Sequence, residues 1–259
     1  MELLQFYKYQ GTGNDFVMID NRDNVFDPSN LSLVQKLCDR KFGIGADGLI
    51  LIQNIQGYDF EMIYFNSDGS QSLCGNGSRC AVNFAKKLGI IGSETYFLAI
   101  DGPHEAIVNP NGIVKLKMGD VSAIEAGDDY YFINTGSPHW VQYAQNLQSF
   151  DVFTYGKNIR YNERFKENGT NVNFIENLPN GDLFVRTYER GVENETLSCG
   201  TGVTAAALAA STKGLQSPIK IKALGGQLEI AFKGSASDGF TDIWLIGPAE
   251  EVFKGQVTV

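Results

Sequence analysis

Two stretches of this 259-residue chain carry the same local pattern. Cys74-Gly-Asn-Gly opens a run that closes at Gly89, and Cys199-Gly-Thr-Gly opens one that closes at Gly214. Behind the first cysteine, Ala81, Val82, Phe84, Ala85 and Leu88 recur at helical spacing; behind the second, Val203, Ala206, Ala207, Leu208 and Ala210 do the same. A glycine at each end suits a helix C-terminus. Other landmarks return at nearly the same interval. Thr12-Gly13-Asn14 before Phe16-Val17 reappears as Thr135-Gly136-Ser137 before Trp140-Val141, and the segment Asp59 to Phe65 reappears as Asp182 to Tyr188. Matches in the same order at intervals of 123 to 125 residues mark a duplicated unit of about 120 residues. Two copies are too few for a solenoid, so the expectation is two similar lobes with a cleft between them.

Within each lobe strands dominate. The first carries strand patterns at Leu49–Gln53, Phe60–Phe65, Tyr96–Ile100, Ala106–Val108 and Val114–Met118. The second carries them at Tyr131–Asn134, Trp140–Tyr143, Val172–Ile175, Leu183–Tyr188, Ile219–Ala223, Gln227–Phe232 and Thr241–Ile246. One further helix is expected over Leu31–Asp39, capped by Ser29 or Asn30. The fold class is therefore α+β: two pseudo-symmetric lobes, each a mixed β-sheet wrapped around a central helix, with the active site in the cleft. The lobes are expected over residues 1–122 and 123–249, with the boundary near Gly119–Gly127 and a C-terminal strand, residues 250–259, returning to the first lobe.

Charge and cysteine usage exclude several classes. A formal net charge of −9 repels phosphate backbones, so no nucleic acid is expected as a partner. No apolar run approaches the length of a membrane span, and the N-terminus has no basic n-region, so no membrane partner is expected and the location is read as cytoplasmic. The four cysteines, Cys38, Cys74, Cys80 and Cys199, form no C-x-x-C pair, so neither a structural zinc site nor a disulfide framework is expected. Gly43-Ile-Gly-Ala-Asp-Gly48 matches a dinucleotide-binding spacing but precedes a strand pattern where that motif needs a helix; it is read as a turn. With no nucleotide loop and no compelling lysine for pyridoxal phosphate, neither a cofactor nor a metal is expected.

The chemistry sits at Cys74 and Cys199. At a helix N-terminus the backbone N–H groups point outward and the dipole is positive, which favours thiolate over thiol. Glycines on either side of Asn76 and Thr201 leave amides free to hold an anion, and a carboxylate is the natural guest. A sulfur on each face of the carbon beside that carboxylate can remove a proton from one side and return one to the other. The helix N-termini would stabilise the enediolate-like charge that grows between the two steps. Cys38 and Cys80 lack this setting and read as core. The residues alone leave other readings open: a cysteine hydrolase pairing one thiol with His139, or a redox sensor whose two thiols join. His139 reads equally as a base partner and as a buried structural histidine.

The motifs together resemble the diaminopimelate epimerase family over nearly the whole chain. The resemblance rests on Gly-Thr-Gly-Asn14-Asp-Phe-Val, Gly43-Ile-Gly-Ala-Asp-Gly-Leu-Ile, Tyr-Phe-Asn66-Ser-Asp-Gly-Ser and Cys74-Gly-Asn-Gly-Ser-Arg-Cys. It continues through Gly136-Ser-Pro-His139, Thr170-Asn171-Val, Tyr-Glu189-Arg190-Gly and Ser-Cys199-Gly-Thr-Gly. Proline racemase and the phenazine-biosynthesis isomerase belong to the wider superfamily and supply the alternative, an epimerase of proline or hydroxyproline. The resemblance implies cofactor-independent interconversion of LL- and meso-diaminopimelate on the route to lysine and peptidoglycan, and a homodimer. It makes Cys74 and Cys199 the acid/base pair and places the reacting carboxylate at Gly75, Asn76, Gly200 and Thr201. It puts Asn14 and Glu189 near the ammonium groups, Asn66, Asn171 and Arg190 at the distal centre, and His139 and Ser137 in support. A guanidinium at Arg190 suits bidentate binding of a carboxylate. Three positions depart from the family pattern. Ser137 stands where asparagine is frequent, Trp140 where a small residue or cysteine is common, and Gly48 where some members make a side-chain contact.

Overall fold

The N-terminal strand Leu3–Gly11 turns at Thr12-Gly13, both with positive φ, into the antiparallel strand Asn14–Asp20. In this computed structural model, which describes residues 3–259, that hairpin is the first step of a pattern that the chain uses twice. Asn14–Asp20 pairs in parallel with Gly48–Gln53, which pairs antiparallel with Glu61–Asn66. Glu61–Asn66 meets Glu94–Ala99 in parallel through Glu61 and Leu98, and Gly102–Val108 and Ile113–Lys117 follow antiparallel. A parallel pairing needs a crossover, and helices supply both: α1, Leu31–Cys38, precedes Gly48–Gln53, and α2, Gly75–Lys87, precedes Glu94–Ala99. The C-terminal strand Glu250–Thr258 runs antiparallel to Leu3–Gly11 and forms the sheet's edge.

The second half repeats the order. Tyr130–Asn134 turns at Gly136 into antiparallel Pro138–Tyr143, which pairs in parallel with Asn171–Asn177. Leu183–Glu189 is antiparallel to that strand, then Ile219–Ala223 is parallel, and Gly226–Ser235 and Gly239–Pro248 are antiparallel. The crossovers are α3, Val152–Arg160, and α4, Gly200–Ser211. By contacts the chain divides into two units, Met1–Leu116 with Gly247–Val259, and Lys117–Ile246. The register itself is duplicated: Phe16 faces Gly48 in one unit, and His139 faces Asn171, each 123 residues later, in the other.

In the first unit the sheet is covered on both faces, so its inner strands read as continuous apolar runs. Val17, Ile19, Leu49 and Leu51 join Val34 and Leu37 of α1 in one cluster. Phe16 and Ile50 point the other way, against Gly77 of α2. Cys38 and Cys80 are buried as core, as their setting predicts. In the second unit Val172, Phe174, Phe184 and Tyr188 form the cluster beside α3, together with Val152. α4 is buried over nearly its whole surface, and its alanines let the strands close around it.

The helix pattern at Leu31 holds over Leu31–Cys38, and Asn30 is its cap, accepting from the Leu33 N–H at 3.1 Å. Helix α3 escapes the sequence patterns because Val152-Phe-Thr-Tyr-Gly156 is a run of weak helix formers. It forms on an Asp151 cap, whose Oδ1 accepts from the Thr154 N–H at 3.0 Å. Gly156 lets it lie on the sheet, since a Cβ there would sit 2.4 Å from the Tyr188 Cβ. The repeat itself was the signal for α3, because α1 has no other counterpart.

Candidate active site

Each unit puts a cysteine at the N-cap of its central helix. Cys74 and Cys199 both have extended backbone, with φ of −131° and −117°, and both launch helices whose first residues are buried. Glycine two residues into each helix is a steric requirement. A Cβ on Gly77 would lie 3.1 Å from Ile50 Cδ1, and one on Gly202 would lie 2.4 Å from Asn173 Oδ1.

In the first unit Cys74 is half-buried, and its sulfur accepts from the Gly77 N–H at 3.5 Å. Gly75 and Asn76 are buried in the first turn. The Asn76 amide donates to Asn14 Oδ1, and Asn14 donates in turn to Asp47 Oδ2 at 3.0 Å. Arg40 ties Asp47 to Asp15, which Lys8 also meets at 2.7 Å. Burial opposes the charge on Asp15, but hydrogen bonds from Arg40 and Lys8 overcome it and hold the carboxyl down to about 2. Asn66 lies at the end of its strand, donating to Ser70 and Ser72 hydroxyls and accepting from Tyr64. The Ser67 N–H reaches the Asp47 carbonyl, so the Asn66 loop is joined to the Asn14 chain.

In the second unit the Thr201 hydroxyl is the hub. It lies 3.4 Å from the Cys199 sulfur, 2.9 Å from His139 Nε2 and 3.2 Å from Ser137 Oγ. Asn171 donates to Ser137 and accepts from the Arg190 backbone N–H at 2.9 Å. The Arg190 guanidinium donates to the Asn168 carbonyl. Glu189 accepts from Thr196. Gly200 is buried at the start of α4. Ser137, His139, Asn171, Arg190, Thr201 and Cys199 thus form one hydrogen-bonded chain, and Asn171 is spent largely on holding its neighbours.

The protonation of His139 follows from its partners. Thr187 donates to Asn173 Oδ1, so the Asn173 amide nitrogen faces His139 Nδ1 at 3.1 Å and the Trp140 carbonyl at 3.0 Å. Nδ1 is therefore the acceptor, and Nε2 carries the hydrogen toward Thr201 and Ser137. Burial, aided by the Arg190 charge, pushes His139 down to about 3. A neutral histidine in this place orients hydroxyls rather than carrying protons. Its folded pKa lies below its unfolded one, so its contribution to stability is complete above pH 6.5 and is lost as the pH falls from there toward 3. Urea unfolding is expected to show stability falling by about 2 kcal/mol between pH 6.5 and 4.5. In His139→Gln that decline should flatten; an unchanged slope would refute the assignment.

The two sites are not chemical copies. Phe16, Ile50 and Tyr64 of the first unit correspond by position to His139, Asn173 and Thr187 of the second, so an apolar bed under α2 becomes a buried polar network under α4. Sequence reasoning passed over Asp47, Asn173 and Thr187. Asp47 sits in the glycine motif read as a turn: Gly45 is indeed left-handed there, yet the turn also serves to aim Asp47 at Asn14. Among the departures, Trp140 stacks on Tyr130 at 3.7 Å. Gly48 has no room for a side chain, because Tyr64 and the Phe65 carbonyl lie within 2.4 Å of a Cβ built there. Among the described residues, no group of three His, Cys, Asp or Glu side chains is placed to hold a metal ion, and no helix is long and apolar enough to cross a membrane.

The α+β fold built from these two units is shared with solved structures of low sequence identity. A phenazine biosynthesis protein of the PhzF family from Bacillus anthracis aligns over 100% of both chains with a TM-score of 0.79 at 13% identity. A probable proline racemase from Agrobacterium radiobacter K84 aligns over 99% of this chain and 93% of its own, with a TM-score of 0.69 at 16% identity. The family model for diaminopimelate epimerase matches residues 6–124 and 131–250. The diaminopimelate epimerase of Flavobacterium psychrophilum is 55% identical over 254 residues, 97% of this chain and 99% of that protein. The chain belongs to the diaminopimelate epimerase family.

Proposed function

We propose that this protein interconverts LL- and meso-diaminopimelate in lysine biosynthesis, with Cys74 and Cys199 as the acid/base pair. One thiolate takes the α-proton, leaving the C–H electron pair in an enediolate-like carboxylate. The other thiol returns a proton to the opposite face, and the two sulfurs exchange protonation states. No net oxidation occurs, so the chemistry itself requires no redox partner. The observation that carries this reading is the repeated cysteine N-cap: two helix N-termini, each pairing a sulfur with a glycine-flanked turn of buried amides.

In this reading Gly75, Asn76, Gly200 and Thr201 hold the reacting carboxylate, with Asn14 and Glu189 near the ammonium groups. Asn66, Asn171 and Arg190 recognise the distal amino-acid centre. Polar groups built for that centre discriminate against amino acids that lack it. Ser137, joined to Thr201 and Asn171, supports both ends. A homodimer in the cytoplasm belongs to the same reading, since reducing conditions keep both sulfurs available for proton transfer.

Proton NMR of LL-diaminopimelate in D₂O with the reduced protein tests it. The α-proton signal should disappear as the meso isomer grows. A persistent signal, or exchange with proline or hydroxyproline in its place, would overturn the substrate assignment.

A further inference from the structure

Arg79 lies on α2 five residues after Cys74 and is fully buried. Its guanidinium donates to Thr12 Oγ1 at 2.7 Å and to Asn76 Oδ1 at 3.0 Å, with longer contacts of 3.5 Å to the Gly75 and Pro248 carbonyls. All four acceptors are neutral. Among the described residues no carboxylate pairs with it, whereas the largely buried Lys8, Arg160 and Arg186 each have one. A buried cation without a counter-ion is costly, and such charges are normally paired.

The elements packed against α2 carry few groups that could be that counter-ion. Strand Leu3–Gly11 brings Tyr7, Lys8 and Tyr9, and strand Asn14–Asp20 brings Asp15 and Asp20. Strand Glu61–Asn66 brings Glu61 and Tyr64, and strand Gly102–Val108 brings His104 and Glu105. The edge strand brings Glu250, Glu251 and Lys254, while Gly48–Gln53 brings none. Asp15 is taken by Lys8 and Arg40, Asp20 by Arg22, and Glu251 by Lys87 and Tyr9. Glu61 accepts from Gln53, Glu250 from Gln10, His104 is held by Asp101, and Glu105 is exposed to solvent. On α2 itself Cys80 is sealed in the core, where burial pushes its thiol far up and keeps it neutral. Burial pulls Arg79 down only to about 10, so it stays charged at neutral pH.

We infer that Arg79 is a positioning residue whose buried charge holds Cys74 as the thiolate, while its hydrogen bond to Asn76 Oδ1 turns that amide toward Asn14. The inference rests on Cys74 being one of the acid/base pair. It separates the two sulfurs chemically, because the position equivalent to Arg79 on α4 is Thr204, whose hydroxyl folds back onto the Gly200 carbonyl. The first unit supplies a buried cation, and the second supplies neutral hydroxyls and a neutral imidazole.

The test is the pH dependence of iodoacetamide alkylation of the full chain, read at the individual cysteine by mass spectrometry. Cys74 is followed in Cys199→Ala and Cys199 in Cys74→Ala, so that each titration belongs to one sulfur. With Arg79 present, the Cys74 midpoint should lie at least one pH unit below the ordinary thiol value of about 8.5. Arg79→Met should raise it by a unit or more, which slows alkylation at pH 7 about tenfold. Arg79→Lys, which keeps the charge, should leave it within a few tenths of a unit, and the Cys199 midpoint should not move. A Cys74 midpoint near 8.5 before any change at Arg79 overturns the inference, and that result does not depend on whether Arg79→Met folds. An unmoved midpoint in folded Arg79→Met, or an equal shift at Cys199, overturns it as well. Alkylation needs no turnover. Failure of the epimerase reading therefore appears in the NMR assay and failure of the Arg79 inference appears here.

Discussion

Replacing Cys74 or Cys199 with alanine is expected to reduce epimerisation by at least about 10³-fold, within the range for loss of a positioned acid or base. Each variant should keep its fold. Cys74 caps its helix through a long contact to the Gly77 N–H, and the extended backbone of a cap does not require sulfur. In the proposed mechanism the sulfurs act as one unit on one carbon, so the two losses should not multiply in the double variant. Exchange without inversion offers a finer reading. If one sulfur alone can remove and return a proton on its own face, the variant lacking the other should wash deuterium slowly into one isomer without making its partner. The measurement is α-proton NMR in D₂O alongside circular dichroism. Full inversion in either single variant would refute the two-thiol mechanism.

The second large effect is expected at Gly202. A methyl group there would sit 2.4 Å from Asn173 Oδ1, and Asn173 cannot yield easily. It is buried and bonded to Thr187, His139 and the Trp140 carbonyl. Gly202→Ala is therefore expected to destabilise the protein by about 2–5 kcal/mol, combining overpacking with a broken buried hydrogen bond. The helix propensity of alanine offsets up to about 1 kcal/mol of that. Because the clash reaches the network that holds Thr201 beside Cys199, activity should fall together with stability. Gly77→Ala makes the internal comparison. Its methyl would meet Ile50 Cδ1 at 3.1 Å and a Phe16 ring carbon at 3.4 Å, a milder overlap than at Gly202 and with apolar side-chain atoms that hold no hydrogen bond. A cost of about 1–2 kcal/mol is expected there. Urea unfolding of the two variants decides the matter, and equal costs would mean that the polar network under α4 is less rigid than its hydrogen bonds imply.

The contrast between these glycines shows where reading a sequence reaches its limit. Both sit in C-G-x-G, and nothing local distinguishes them. The difference comes from strands far away in the chain: Ile50 lies under one helix, and Asn173, 123 residues later, lies under the other. Only the strand register puts those side chains beneath the helix starts. Arg79 is a similar case. It stands inside a recognised motif, but its burial without a carboxylate depends on Thr12 and Pro248 closing over it. Asp47 was visible as part of a turn, but its direction toward Asn14 was not.

The sequence by itself determined the duplication, the two cysteine-capped helices, the α1 cap to within Ser29 or Asn30, most of the strands, and the family to which the chain belongs. Each of these is written in short-range spacing: 3.6-residue periodicity, alternation along strands, glycines that permit a turn, and motifs a few residues long. The tertiary structure decided what short spacing cannot carry. It formed α3 from weak helix formers by docking Gly156 on Tyr188, kept His139 neutral by burying it and fixed its tautomer through Asn173, and left Arg79 as a buried cation near the start of α2. The physical reason is common to all three. Burial and hydrogen-bond partnership are properties of residues brought together from distant parts of the chain, and they become defined only when the sheet register is set.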